Sequence, residues 1–184
     1  MSETEIASST GQGAEQLVGR HRELLDRAMQ AVRERTYWSA YPEHPKAYGG
    51  EAMPAAEIAF QALLGSQFEL ETPGATDTVG GERSPYGMEL GVTYPHVTDI
   101  DALLAAARAG MPAWRDAGPD VRAAVCAEVL ARINTRSFEL AHAVMHTTGQ
   151  AFMMAFQAAG PHAQDRALEA VAYALAEEDD HEPH

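Results

Sequence analysis

The fold is decided by the stretch Ser84-Pro85-Tyr86-Gly87-Met88-Glu89-Leu90-Gly91-Val92-Thr93-Tyr94, which leads into Thr98-Asp99-Ile100-Asp101-Ala102-Leu103-Leu104. Its first four residues place proline second and glycine fourth, as in a type I turn. Leu90, Val92 and Tyr94 then alternate along one face of a strand. The sequence therefore predicts one β-hairpin at about residues 82–95.

A helix is predicted directly after this hairpin. Thr98 stands as an N-cap with Asp101 three residues later, and apolar residues then recur with the spacing of one helix face. Five further helical segments are predicted at about residues 17–36, 54–64, 120–136, 137–148 and 161–176, separated by glycine and proline breaks. The fold class is mostly α with one β-hairpin. Because strands and helices do not alternate, we expect no complete dinucleotide-binding sheet in this chain.

Both ends of the chain are predicted to lie outside the folded part. Residues 1–13 are mostly Ser, Thr, Gly and Glu, with too little apolar surface to offset the entropy of ordering them, so we expect a disordered tail. Residues 177–184 form a solvated acidic tail. The domain between them covers residues 14–176.

The charge balance excludes several classes of partner. The 184 residues carry 13 Lys and Arg against 27 Asp and Glu, a formal net charge of −14, which argues against nucleic acid. No apolar run approaches the ~18 residues needed to cross a bilayer, so no membrane partner is expected. The single cysteine and the absence of a signal peptide predict a cytoplasmic protein.

Two motifs resemble catalytic or metal-binding groups, and for both the structural interpretation is favoured. Cys126 lies within an apolar helical pattern without a feature that would lower its thiol pKa, so we predict a structural thiol and not a nucleophile. His142 and His146 share a helix face at i, i+4, as zinc-binding pairs do, but no acidic residue lies between them and no third ligand follows. Polar packing is favoured over a metal site.

Two aromatic segments also allow a ligand-binding interpretation. The cluster of Phe and Met residues is typical of a core or a subunit interface, with a substrate-tunnel wall as the alternative. The aromatic residues near the prolines are expected to pack against a neighbouring surface, with ligand stacking as the alternative. The residues concerned are Phe152, Met153, Met154 and Phe156 in the first segment, and Trp38, Tyr41 and Tyr48 in the second.

Several segments, taken together, resemble the N-terminal part of the aldehyde dehydrogenase superfamily. They are Ser84-Pro85-Tyr86-Gly87-Met88-Glu89-Leu90-Gly91, Ala105-Ala106-Ala107, Trp114, Arg122 and Thr148-Gly149-Gln150. Two others are similar to the phenylacetic acid degradation branch of that superfamily: residues 37–45, Tyr-Trp-Ser-Ala-Tyr-Pro-Glu-His-Pro, and residues 143–157, Ala-Val-Met-His-Thr-Thr-Gly-Gln-Ala-Phe-Met-Met-Ala-Phe-Gln. The resemblance runs from about residue 20 to residue 174.

The resemblance implies an oxidoreductase that oxidises an aldehyde with NAD or NADP. In the branch, the expected substrate is a ring-opened semialdehyde, free or carried as a CoA thioester. Many members have Glu-x-Gly-Lys where this chain has Thr147-Thr148-Gly149-Gln150, which favours the branch over a general assignment. The family's nucleophilic Cys, general-base Glu and oxyanion-stabilising Asn would all lie beyond residue 184. We therefore expect no catalytic, cofactor-binding or metal residue here.

Two functions remain open at this point. The first is an N-terminal fragment of such a dehydrogenase, inactive alone, whose partners are the remaining dehydrogenase domains or subunits, in a complete enzyme that forms a homo-oligomer. The second is a stand-alone helical interaction module that binds a dehydrogenase subunit or another protein.

Overall fold

The computed structural model describes the backbone of residues 3–181 and the side chains of residues 11–177. Within that part, seven α-helices, one short 3-10 helix and two strands follow in this order: α1 (Glu3–Glu34), the 3-10 helix (Pro45–Tyr48), α2 (Ala52–Leu63), β1 (Ala75–Gly80), β2 (Thr93–Val97), α3 (Ile100–Asp116), α4 (Pro119–Thr135), α5 (Ser137–Thr148), α6 (Phe152–Ala159) and α7 (Pro161–His181). The strands form one antiparallel sheet. The predicted fold class, mostly α with one antiparallel strand pair, is confirmed.

The chain divides into two compact units, and the first is helical. It comprises the described residues up to Tyr41, then Asp116–Thr135, and those from His162 onwards. Apolar faces of α1, α4 and α7 meet in a core, in which alanines let the helices approach closely. The buried residues of this core are Leu25, Ala28, Tyr41, Ala123, Ala127, Leu130, Leu168, Ala172 and Leu175.

The second unit comprises Pro42–Arg115 and Arg136–Pro161, and its core has two parts. In one part, Phe138 stacks on Phe156 with ring centroids 4.5 Å apart, and Ala141 and Ala155 fill the space beside them. In the other, Phe60 of α2 packs with Leu90 and Val92 next to the strand pair. The hairpin segment is therefore held to the helices by apolar contacts.

The hairpin is wider than the sequence predicted. The turn at Ser84–Gly87 is present, since the Gly87 N–H donates to the carbonyl of Ser84 at 2.9 Å. Next to it, however, only Arg83 and Glu89 pair, and the strands lie farther out, with Gly80 opposite Thr93 and Ala75 opposite Val97. The prediction placed the hairpin at 82–95 because β1 is exposed along almost its whole length and shows no apolar alternation.

Glycine at position 74, directly before β1, leaves room for the segment that joins β2 to α3. Its φ is +78°, and a Cβ there would lie 2.1 Å from the carbonyl oxygen of Asp99. The carbonyl of Gly74 accepts the N–H groups of Thr98 and Asp99, both at 3.1 Å. The cap of α3 is Asp99, whose carboxylate accepts the Ala102 N–H at 2.9 Å. Thr98, the predicted cap, instead bonds Thr76.

The helix ends also differ from the prediction. Residues 3–13, expected to be a disordered tail, are helical and continuous with α1, whereas Met1 and Ser2 lie outside the described residues. At the other end, α7 extends into the predicted acidic tail as far as His181, and residues 182–184 are not described. Once a helix has been nucleated by its packed part, each added residue costs less than the first turn did, so the helix can extend into such segments.

Candidate functional site

Aromatic and polar side chains of the second unit surround two histidines of α5. Their spacing of four residues places His142 and His146 on one face, where both stack on Phe60, with ring centroids 5.6 and 5.2 Å away. Tyr86 meets the edge of His146 at 5.9 Å, and Phe152 lies 4.8 Å from His142. The predicted pairing of the histidines on one face is confirmed, and both rings pack against aromatic neighbours.

His146 is bonded to the turn that precedes the second strand. Its Nδ1 lies 2.9 Å from Oγ of Ser84. The same hydroxyl oxygen accepts the Tyr86 N–H at 3.2 Å, and the Tyr86 hydroxyl donates to the carbonyl of Gly149 at 3.0 Å. These bonds fasten the Ser84–Gly87 turn to the end of α5, where Gly149 adopts the left-handed conformation that ends the helix.

A serine bonded to a histidine is also the first half of a nucleophilic site, so its access matters. Ser84 is 3% exposed, and its hydroxyl oxygen already holds a backbone N–H inside the turn. A substrate carbonyl cannot reach a buried oxygen used in this way without opening the turn. The pair is therefore built to hold the turn, not to attack a substrate.

His142 is held in an environment that opposes its protonation. The Nε2 atom is buried and has no hydrogen-bond partner among the described residues. Burial lowers the pKa of His142 below its usual value, the charge of Glu57 acts to raise it, and His146 lowers it further. The described part of the chain holds no group of three or more His, Cys, Asp or Glu residues placed to bind a metal.

The second unit also contains an apolar cavity of about 180 Å3. Its walls come from α2 and the residues that follow it, from the segment 90–94 and from α5 with the residue before it. Tyr94 is the only tyrosine in the lining, and its pKa is raised by burial first and by the charge of Glu82 second. The ion pair between Arg136 and Glu139 lies at its rim. The apolar lining consists of Phe60, Leu63, Leu64, Phe68, Leu90, Val92, Leu140 and Ala143.

A larger cavity of about 330 Å3 lies in the first unit, between the end of α1, the following loop and α7. Its volume is at the lower end of the range for small-molecule sites. Its charged groups are mostly engaged within the chain. Asp165 accepts the Ala40 N–H at 3.0 Å and the Ser39 hydroxyl at 2.5 Å, and Arg166 pairs with Glu169 at 2.6 Å.

The predicted packing of the aromatic loop is confirmed. Tyr41 is buried and Trp38 is half-buried against the core of the first unit, with the Arg27 guanidinium 5.9 Å from the Trp38 ring centre. In the second unit, Tyr48 meets Phe138 and Phe156 edge-on, at 5.4 and 5.7 Å. These rings contact the protein itself.

The remaining candidates lie on two different helices. Cys126 is half-buried on α4, in the first unit. Phe156 is fully buried and Phe152 is half-buried, whereas Met153 and Met154 of the same helix are exposed. The predicted core role therefore holds for the two phenylalanines, and the two methionines lie on the surface.

Three contacts of the structure were not predicted from the sequence: Ser84 with His146, Asp165 with the 39–41 loop, and His21 with Glu128. Their partners lie between 62 and 126 residues apart in the chain. The turn motif indicated that Ser84 lies in a turn, but nothing in the sequence indicated that His146 is its hydrogen-bond partner.

Comparison with solved structures gives a close relative for most of the chain. The structure matches part of the crystal structure of an NAD-dependent aldehyde dehydrogenase from Burkholderia multivorans with a TM-score of 0.82 and 53% sequence identity. The match covers 89% of this chain and 30% of that enzyme. This chain therefore spans less than a third of the enzyme that it resembles.

That similarity supports the predicted relation to the aldehyde dehydrogenase superfamily, while the phenylacetic acid degradation branch stays a prediction. No protein-family model and no curated protein matches the chain. None of the described helices combines the length and the apolar character that a membrane crossing requires.

Proposed function

We propose that this chain is the N-terminal part of an NAD-dependent aldehyde dehydrogenase and acts as a structural support for the part that binds NAD and carries out catalysis. The observation that carries this proposal is the match to the Burkholderia enzyme, at 53% identity and a TM-score of 0.82 over 89% of the chain. An identity this high over most of the chain favours a shared role as well as a shared fold.

The chemistry of the described side chains supports a structural role. The serine–histidine pair is buried in a turn, and the polar groups of the larger cavity hold a loop and an ion pair. The only described sheet has two antiparallel strands, so the part of the chain described here has no parallel β-α-β unit to hold a dinucleotide. The residues present do not fit NAD, and we assign no step of hydride transfer to them.

The complete enzyme would oxidise an aldehyde to an acid with NAD, as the relation to an NAD-dependent enzyme suggests. We propose a semialdehyde of phenylacetate catabolism as the substrate, because the segments at residues 37–45 and 143–157 are similar to that branch. Within such an enzyme, the Ser84–Gly87 turn and α5 would form a rigid support, since hydrogen bonds and stacked rings join them.

A chimeric enzyme tests this proposal. In it, this chain replaces the segment that it matches in the Burkholderia multivorans enzyme. We expect the chimera to reduce NAD in the presence of an aldehyde, whereas the isolated chain should neither reduce NAD nor bind it in calorimetry. NAD reduction by the isolated chain, or a folded but inactive chimera, would contradict the proposal. The rates at which the chimera oxidises semialdehydes and unrelated aldehydes test the assignment to the phenylacetic acid degradation branch.

A stand-alone interaction module is the second candidate, and one observation favours it. Each unit has its own buried core, so neither depends on a missing domain for its apolar interior. Size-exclusion chromatography and thermal unfolding of the isolated chain distinguish the two. A monomer with a cooperative transition that binds no hydrophobic dye favours the module, and dye binding with aggregation favours the fragment.

A further inference from the structure

From the structure we infer that α3 docks, through one exposed apolar stripe, onto the portion of an aldehyde dehydrogenase that this chain does not contain. The inference rests on the proposed function and adds the surface that would join the two parts. The stripe consists of Ile100, Leu104, Met111 and Trp114.

The stripe is a single continuous face. At 100° per residue, these four positions fall within about 80° of one another around the helix. Over 14 residues the stripe is about 21 Å long. Its members are 43 to 64% exposed, and α3 has no buried residue at all. An amphipathic helix of this kind normally buries its apolar face, so α3 has the pattern of a packed helix without the packing.

The composition of α3 also indicates that it needs support from outside the chain. Pro112 lies inside the helix, where it removes a backbone hydrogen bond, and Gly110 lies one half-turn before it. Both residues destabilise a helix interior, and little buried area in this chain offsets their effect. The N-terminus of α3 is anchored through Asp99 and the close approach at Gly74.

The sides of the stripe differ in a way that suits a protein partner. On one side Ala106, Gly110 and Ala113 leave room for another backbone to approach closely. On the other side Arg108 and Arg115 provide a polar rim. A folded apolar surface fits between them better than a small molecule does.

The comparison identifies the partner. This chain reproduces 30% of a longer dehydrogenase with a TM-score of 0.82, so the matching segment of that enzyme is followed or preceded by a much larger portion of the same molecule. That larger portion is the occupant to which we assign the stripe. A second copy of this chain is the competing occupant.

The test introduces Leu104→Asp and Met111→Asp together, both in the chimera with the Burkholderia enzyme and in the isolated chain. In the chimera, two buried carboxylates should lower the yield of soluble, active enzyme at least about tenfold. In the isolated chain, the stripe is exposed, so circular dichroism and the thermal midpoint should stay unchanged. The matched control is Ala109→Glu, a new carboxylate on the opposite side of α3, which should change neither protein.

Four outcomes would overturn the inference. The first is full activity of the doubly substituted chimera. The second is unfolding of the isolated variant, which would place the stripe in the chain's own core. The third is an equal loss of soluble, active chimera when Ala109→Glu is introduced instead. The fourth is an isolated chain that is dimeric and becomes monomeric on substitution, which would assign the stripe to a second copy. An unsubstituted chimera that is inactive would instead count against the proposed function.

Discussion

Nε2 of His21 on α1 lies 2.7 Å from Oε2 of Glu128 on α4. Glu128 also contacts Arg20 at 3.1 Å and Arg132 at 2.9 Å, and its side chain is 18% exposed. The hydrogen bond with His21, and after it that with Arg132, lowers the pKa of Glu128 from 4.5 to about 2. One carboxylate of α4 thus contacts two groups of α1, the buried imidazole of His21 and the guanidinium of Arg20, and so joins the two helices.

Replacing Glu128 with Gln should lower the melting temperature at neutral pH. The depressed pKa means that the folded protein holds Glu128 ionised more strongly than the unfolded chain does. The stabilisation that Glu128 gives the folded protein is therefore complete above pH 4.5. It is lost as the pH falls towards about 2. The melting temperatures of the native protein and Glu128→Gln should therefore converge over this range in calorimetric scans. A difference that stays constant would contradict this assignment.

Replacing Asp165 with Ala should destabilise the first unit by about 2 to 3 kcal/mol, because the backbone N–H groups of Ala40 and Tyr41 and the Ser39 hydroxyl lose a charged acceptor. Urea unfolding followed by circular dichroism measures the loss. Glu169→Ala, one turn later on α7, is the control. It removes only an ion pair with the exposed Arg166, so its effect should stay below about 1 kcal/mol. Equal effects of the two substitutions would show that the loop is held by other contacts.

Replacing His142 with Phe should make stability less dependent on pH. Because the folded protein opposes protonation of His142, the native chain should lose stability as the pH falls below the usual histidine pKa of about 6.5, where the unfolded chain takes up the proton more readily. Phenylalanine keeps the stacking on Phe60 and has no proton to bind. Urea midpoints from about pH 8 to about pH 5 should therefore fall less in the variant. If the urea midpoints of the native chain and the variant fall in parallel with pH, His142 is not the source of the pH dependence.

The sequence was sufficient to predict the helices whose apolar residues are regularly spaced. It predicted 54–64, 120–136 and 137–148, and the structure places helices at Ala52–Leu63, Pro119–Thr135 and Ser137–Thr148. Local signals such as the αL glycine after α5 identify helix ends without knowledge of the tertiary structure. The hairpin strands were misplaced because β1 is exposed along almost its whole length and has no apolar alternation that would mark it as a strand.

The polar contacts were beyond the reach of the sequence for a related reason. A histidine pair at i, i+4 is equally consistent with a metal site and with stacking on an aromatic ring. The position of Phe60, which lies 82 residues before His142, decides between these two interpretations. Ile100 and Leu104 were predicted on the apolar face of a helix, and only the structure shows that both side chains are exposed.

Replacing Arg35 with Gly should stabilise the protein by about 0.5 to 1 kcal/mol. Arg35 follows the last residue of α1 and has a φ of 52°, the only positive φ among the described residues other than glycine. Its N–H donates to the carbonyl of Val32 at 3.2 Å, and the Thr36 N–H donates to that of Ala31 at 3.0 Å, the two bonds of a Schellman ending. Glycine adopts this conformation without the steric cost that arginine bears.

The control for Arg35→Gly is Arg22→Gly, at an exposed position in the interior of α1, where the backbone is helical. There glycine should destabilise the protein by about 0.7 to 1 kcal/mol, because it gives up helix propensity and relieves no strain. The two substitutions remove the same side chain from the same helix, so opposite signs in the free energy of unfolding isolate the backbone conformation as the cause. Destabilisation by both would mean that the Arg35 side chain contributes more than its backbone strain costs.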